Sequence, residues 1–247
     1  MGDGLYVSLI VTAALWGAAA GAVLPRAAYR FSVPSGEEWR RACPAGHPVP
    51  GWLGRAGCGR CAGPPGRSYG PGAAPAVATA LVCAALAAAT GFRPELAVWL
   101  LLAPVGVLLT VVDFRVQRLP DPLTLPFAGA ALVLLGPVAL VPEHAGEWTT
   151  ALLGALALGA GYFALFLVNP NGMGFGDVKL ALGAGAVLGW YGWPTVMLGT
   201  FAGFLFGALY GGALVVLRRA GRKTAVPFGP FLLAGAFAGL LTGAYAA

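Results

Sequence analysis

Charge is what this sequence has least of. Only 10% of its 247 residues are Asp, Glu, Lys or Arg, where soluble domains carry about 25%. With 58% of residues hydrophobic, that scarcity excludes an ordinary soluble globular chain. Acids are scarcer than bases, nine Asp and Glu against fifteen Lys and Arg, and there are only two His and four Cys. No glycine loop of the nucleotide-binding kind and no tandem repeat is present. The flank before the first apolar run carries Asp3 rather than Lys or Arg. That argues against a cleavable signal peptide and for an uncleaved first span with its N-terminus outside. The net charge of +6 does not point to nucleic acid, because the basic residues fall in loops between apolar runs, where they set orientation.

What is present is apolar sequence in eight runs of roughly the 20 residues a bilayer needs. They cover about 5–24, 75–92, 96–113, 123–141, 149–168, 178–192, 194–217 and 227–246. The expected fold is an all-α membrane protein, a polytopic bundle of about eight transmembrane helices. Three parts are expected: a first helix at 1–25, a small Cys/Arg/Pro-rich cytoplasmic module at 26–74, and a seven-helix membrane core at 75–247. The module has little core of its own and needs a staple. The sixth run is short and meets the seventh at Trp190-Tyr191-Gly192-Trp193-Pro194, a tight interfacial turn. Small residues spaced by four, Gly17–Gly21 and Gly199–Gly203–Gly207, suit close helix packing. Arg26, Arg30, Arg40, Arg41, Arg55, Arg60, Arg67, Arg115, Arg118, Lys179, Arg218, Arg219, Arg222 and Lys223 all fall on one side of an eight-span chain. That side is the cytoplasm.

Two acids stand at the ends of apolar runs on that side. Asp113 closes LLAPVGVLLTVVD, and Asp177 sits in GMGFGDVK at the mouth of the sixth run. An ionisable residue at the edge of hydrocarbon is costly and marks a functional site by default. Two nearby carboxylates cannot both ionise easily, so one holds a proton while the other acts as a base. That is the equipment for activating water against a peptide bond. Other readings stand beside it. Each Asp can cap a helix or pair with a neighbouring Arg, and a transporter would use the same acids as proton or cation sites.

Gly174-Phe175-Gly176-Asp177 is a GxGD motif, as in intramembrane aspartyl proteases. Together with VVDFRVQRLPDPLTLP upstream and VPFGPFLLAG near the end, it resembles the type IV prepilin peptidases. The resemblance covers nearly the whole chain. It implies an aspartic endopeptidase of a bacterial plasma membrane, with its active site facing the cytoplasm. The expected partners are the lipid bilayer and the leader peptides of prepilins or pseudopilins. Asp113 and Asp177 are the implied catalytic pair, and no cofactor is needed for proteolysis. Gly174 and Gly176 shape the loop, and Asp121 is a supporting acid or a cap on the fourth span. Lys179 matches GxGDxK and either meets an acidic substrate residue or marks the end of its span. Other GxGD proteases, which cut within the membrane, lack the LPD and PFGPF strings and the cysteine loop.

Larger members of that family carry two CxxC pairs in the first cytoplasmic loop, a Zn²⁺ pattern. This chain keeps Cys58-Gly59-Arg60-Cys61, but Gly46 replaces the second cysteine of the other pair. His47 supplies a fourth ligand, giving Cys43, His47, Cys58 and Cys61 as the candidate site; otherwise the thiols are free. Cys83 packs within the second span. Many family members also N-methylate the new N-terminus with S-adenosylmethionine, an activity linked to that loop. Here the loop is short, and the first span reads GAVLPRAAYR where the family usually has an Asn near Pro25.

Overall fold

The computed structural model describes residues 2–61, 69–170, 172–217 and 227–247. Arg67, Arg218, Arg219, Arg222 and Lys223, counted above as orientation charges, lie outside the described residues. Among the described residues the chain is helical apart from turns, irregular loop segments and isolated bridge residues such as Ala42 with Pro48. The helices are α1 (Gly2–Ala22), α2 (Leu24–Phe31), α3 (Ala74–Thr90), α4 (Glu95–Val116), α5 (Asp121–Val138), α6 (Trp148–Val168), α7 (Phe175–Gly189), α8 (Trp193–Val216) and α9 (Gly229–Ala246). Six of them, α1, α4, α5, α6, α8 and α9, are long and apolar enough to cross a membrane, and α3 is a shorter apolar helix. Each expected span overlaps one helix, and α7 is the short one at 15 residues. Bulky side chains such as Leu15, Leu81, Val133, Leu156 and Phe201 lie exposed, as lipid-facing positions do.

The chain divides into two compact units. The first comprises residues 1–92 and 99–118. Here α1 and α3 lie backbone against backbone: a Cβ on Gly17 would come 2.5 Å from the Thr79 carbonyl oxygen, and one on Gly21 would come 2.5 Å from that of Pro75. The Trp16 indole donates to the Leu100 carbonyl of α4 at 2.9 Å.

The loop module was expected to have little core, but α2 gives it one. Ala27, Ala28, Tyr29 and Phe31 of α2 are buried together with Val33, Val49 and Ala56. Phe31 packs against Trp39 and Trp52, and Tyr29 against Tyr69. The arginines, read from sequence as topology charges, also hold this module. Arg26 donates to the Pro50 carbonyl at 2.7 Å and Arg30 to that of Gly51 at 2.6 Å. The Arg30 guanidinium covers the Trp52 ring at 4.0 Å. Arg118, past the end of α4, donates to the Pro34 carbonyl at 2.8 Å and covers Trp39 at 4.4 Å. Such stacks bury the arginine stem and desolvate little charge.

The second unit comprises residues 93–98 and 119–247. Its centre is α7, almost wholly buried. Its residues are mostly small, so α6 approaches closely: a Cβ on Gly154 would meet the Gly185 carbonyl at 2.6 Å. On another side, a Cβ on Gly199 would come 3.1 Å from the Gly235 carbonyl, so α8 and α9 pack through small residues as expected. The turn between α7 and α8 has Gly192 at φ +92°, where a Cβ would be strained. Glu147 N–H donates to the Trp190 carbonyl at 2.9 Å, tying the start of α6 to the end of α7. Glu95 is fully buried, and the Tyr191 hydroxyl donates to its Oε1 at 3.2 Å.

Candidate functional site

Asp177 is the third residue of α7. Gly174 precedes the helix in extended conformation, and its N–H donates to Asp177 Oδ2 at 3.2 Å. The side chain thus caps its own helix, one of the readings open from sequence, while being only 7% exposed. A helix N-terminus favours negative charge. Gly176 is the point of closest approach to the LPD string: a Cβ there would come 2.8 Å from Leu119 Cβ.

Asp121 and Lys179, supporting residues in the sequence reading, meet at 2.7 Å between Oδ1 and Nζ. Pro120, not Asp121, is the N-cap of α5, and Asp121 is the first residue of that helix; Lys179 also lies 5.0 Å over the Phe175 ring. Lys179 is therefore turned to its own chain rather than left as an unengaged end-of-span charge. The LPD string and the GFGD helix are joined by an ion pair and a van der Waals contact.

Asp113 belongs to the first unit. It lies in the last turn of α4 and is 4% exposed. Its carbonyl accepts the N–H of Gln117 at 2.8 Å, and Gln117 takes φ +51°. That left-handed residue ends α4 and turns the chain toward Pro120. Arg118, one of the two arginines that follow Asp113 in sequence, is engaged with the module.

The cysteine cluster assembles as expected from the motif. The ligand atoms of Cys43, His47, Cys58 and Cys61 all lie within 4.8 Å of one another. His47 Nδ1 is 3.6 Å from Cys43 Sγ, 3.7 Å from Cys58 Sγ and 3.6 Å from Cys61 Sγ, and the Cys43 and Cys61 sulfurs are 3.8 Å apart. A tetrahedral Zn²⁺ with Zn–S about 2.3 Å and Zn–N about 2.0 Å has S···N edges of about 3.6 Å and S···S edges of about 3.8 Å. The residues fit that ion. Gly46, standing where a cysteine would complete the motif, takes φ +83°. The tight turn it makes, with Gly46 N–H on the Cys43 carbonyl at 2.9 Å, brings His47 round to the sulfurs. Burial pushes the Cys43 thiol up, but amides of Ala45 and His47 and the side chains of His47 and Cys61 outweigh it and bring it down to about 6. The bond with Cys58, then burial and Cys43, push Cys61 up to about 11. A divalent cation held by these residues would displace the thiol protons that remain.

Beside the cluster lies a cavity of about 470 Å³, lined by Arg26, Arg60, Cys58, Tyr69 and the Pro48–Pro50 stretch, with no carboxylate side chain. Two guanidinium groups favour an anionic group here over a sulfonium.

Tyr162 of α6 was not singled out from sequence. It is buried, and its hydroxyl has no protein hydrogen-bond partner among the described residues. The only signal for it in the sequence is a hydroxyl in the apolar run GALALGAGYFALFL.

The model of the type IV leader peptidase family matches residues 96–212, which include both Asp113 and Asp177. A prepilin leader peptidase/N-methyltransferase of Pseudomonas aeruginosa is 33% identical over 82% of this chain and 71% of its own length. The chain belongs to the type IV leader peptidase family. Other relatives with that printed name come from Aeromonas salmonicida, 39% identical over 58% of this chain and 48% of its own length, and Escherichia coli, 36% identical over 53% and 57%. The chain thus spans about half the length of the Aeromonas relative. No solved structure matches it.

Proposed function

We propose that this type IV leader peptidase family member is an aspartyl endopeptidase that removes the leader of prepilin-like proteins. It acts at the cytoplasmic face of a bacterial plasma membrane, with Asp113 and Asp177 as its two carboxylates. The observation that carries the reading is Asp177: a buried acid at the N-terminus of α7, inside GFGD, in a chain of this family. The electrostatics of the helix ends divide the roles. The positive N-terminus of α7 suits the carboxylate that stays ionised, and the negative C-terminal turn of α4 suits the carboxyl that holds a proton. Asp177 then takes a proton from water as its oxygen bonds to the scissile carbonyl carbon and the C=O pair moves onto oxygen. Asp113 gives its proton to the leaving amine as the C–N bond breaks.

The cytoplasmic orientation rests on the arginine-rich module and on the placement of both acids beside basic loops. Zn²⁺ on Cys43, His47, Cys58 and Cys61 would staple the module and takes no part in the cleavage. N-methylation, the second activity in the relatives' printed names, has no step assigned to a residue here. The test is incubation of the purified chain with a prepilin, followed by mass spectrometry. Loss of the basic leader, with a new N-terminus at the start of the hydrophobic helix, is the expected result. The same spectra show methylation as the mass of one methyl group when S-adenosylmethionine is added. An intact substrate, with ion flux through the chain in vesicles, would support a transporter instead.

A further inference from the structure

The α6–α7 pair runs antiparallel in a fixed register. Gly189 meets Thr150 and Ala151, Gly185 meets Gly154, and Gly159 meets Leu182. Toward the other end, Phe175 packs on Phe163 and Phe166. Each step along α6 is therefore matched by a step back along α7, and Tyr162 falls level with Asp177 and Val178. Tyr162 lies on the same buried face of α6 as Ala151, Gly154, Ala155, Leu158 and Gly159, the face turned to α7.

The ring is held as well as placed. It stacks on Phe204 of α8 with centroids 5.8 Å apart, and on Phe228, just before α9, at 5.9 Å. Phe204 and Phe228 pack on each other at 5.3 Å. Tyr162 is 2% exposed, and its hydroxyl oxygen has no hydrogen-bond partner among the described residues. A buried hydroxyl without a partner costs stability, and phenylalanine would fill the same aromatic cage without that cost. The hydroxyl is thus a fixed donor kept at the level of the GFGD acid at the expense of stability, the pattern of a group preorganised for a bound substrate.

We propose that Tyr162 is a further catalytic residue of this chain, its hydroxyl donating a hydrogen bond to the scissile carbonyl oxygen as negative charge gathers there. The proposal rests on the peptidase reading given above. Tyr162 transfers no proton; water supplies the nucleophile and the two carboxylates handle the protons.

The experiment compares wild type and Tyr162→Phe on a synthetic prepilin leader peptide, with kinetics, pH–rate profile and thermal midpoint measured on the same preparations. The expected result is a kcat lower by roughly 10- to 1000-fold, KM within about twofold, both limbs of the profile in place, and a midpoint at or above wild type. An unchanged kcat would overturn the proposal. So would a loss confined to KM, a moved limb, or an activity loss that follows a lowered midpoint. Wild type that cleaves nothing would remove the peptidase reading itself. Wild type that cleaves alongside an equally active Tyr162→Phe would remove only the role of Tyr162.

Discussion

Gly176→Ala probes how closely the LPD string must sit on the GFGD helix. The added Cβ would stand 2.8 Å from Leu119 Cβ and 3.4 Å from the Leu119 carbonyl oxygen. Carbon atoms in contact prefer about 3.5–4.0 Å, so the two segments must part by about 0.7 Å or more. The obstacle is a buried Cβ next to backbone rather than the end of a mobile side chain, so the retreat has to move chain. It would carry Asp121 from its 2.7 Å contact with Lys179 and disturb the turn that holds Asp177. Overpacking of this kind costs about 1–3 kcal/mol, offset by up to about 1 kcal/mol from replacing a helical glycine. The net cost is therefore about 0–3 kcal/mol, which leaves the thermal midpoint unchanged or lowered. Cleavage also falls, since a shift of about 1 Å in reacting groups costs on the order of 100-fold. Gly211→Ala in α8, where the Cβ meets nothing within 4 Å, serves as control: cleavage stays at wild type and the midpoint is at or slightly above it. Leader-peptide kinetics and detergent-phase melting of both variants provide the assay. Wild-type kcat/KM in Gly176→Ala would refute the reasoning.

Two further outcomes follow from contacts already described. The Asp121–Lys179 pair is short, but its acid is 60% exposed, so Asp121→Asn or Lys179→Met costs no more than about 1 kcal/mol and lowers kcat/KM only severalfold. The charge-swapped double variant regains most of that loss, and one that stayed as slow as the worse single variant would show the pairing is irrelevant. The chain retains Zn²⁺ through purification and Cys58→Ser loses it, as read by metal analysis. Because Cys61 sits up at about 11 and must lose its proton to bind, Zn²⁺ affinity falls as pH falls and binding releases protons. Calorimetry in buffers of different ionisation enthalpy checks this, and a pH-independent affinity would exclude thiolate ligation.

Much of the fold was legible because a bilayer imposes one rule on every span. Each apolar run became a helix, and the crowded aromatics and Gly192 marked the α7–α8 turn before any coordinates. The eight-residue α2 was not legible. LPRAAYRF follows α1 almost without a break, and its arginines read as loop charge until their guanidinium groups are seen over Trp52 and on the carbonyls of Pro50 and Gly51. The Cys₃His cluster was legible as a motif, but the role of Gly46 needed its backbone angle. Asp113 and Asp177 stood out because acids are rare in this chain. Tyr162 did not, because the burial of one hydroxyl depends on the register of α6 on α7, which side-chain pattern alone leaves open. The engagement of Lys179 by Asp121 was hidden for the same reason.

The central claim is that Asp113 and Asp177 act as one catalytic unit. The direct measurement is single-turnover cleavage of a prepilin leader peptide by wild type, Asp113→Asn, Asp177→Asn and the double variant, at equal folded protein. The account predicts that each single variant loses roughly 1000-fold or more and that the double variant is no slower than either, as groups acting together behave. A single variant that still cleaves near the wild-type rate, or a double variant whose loss is the product of the two single losses, would contradict it.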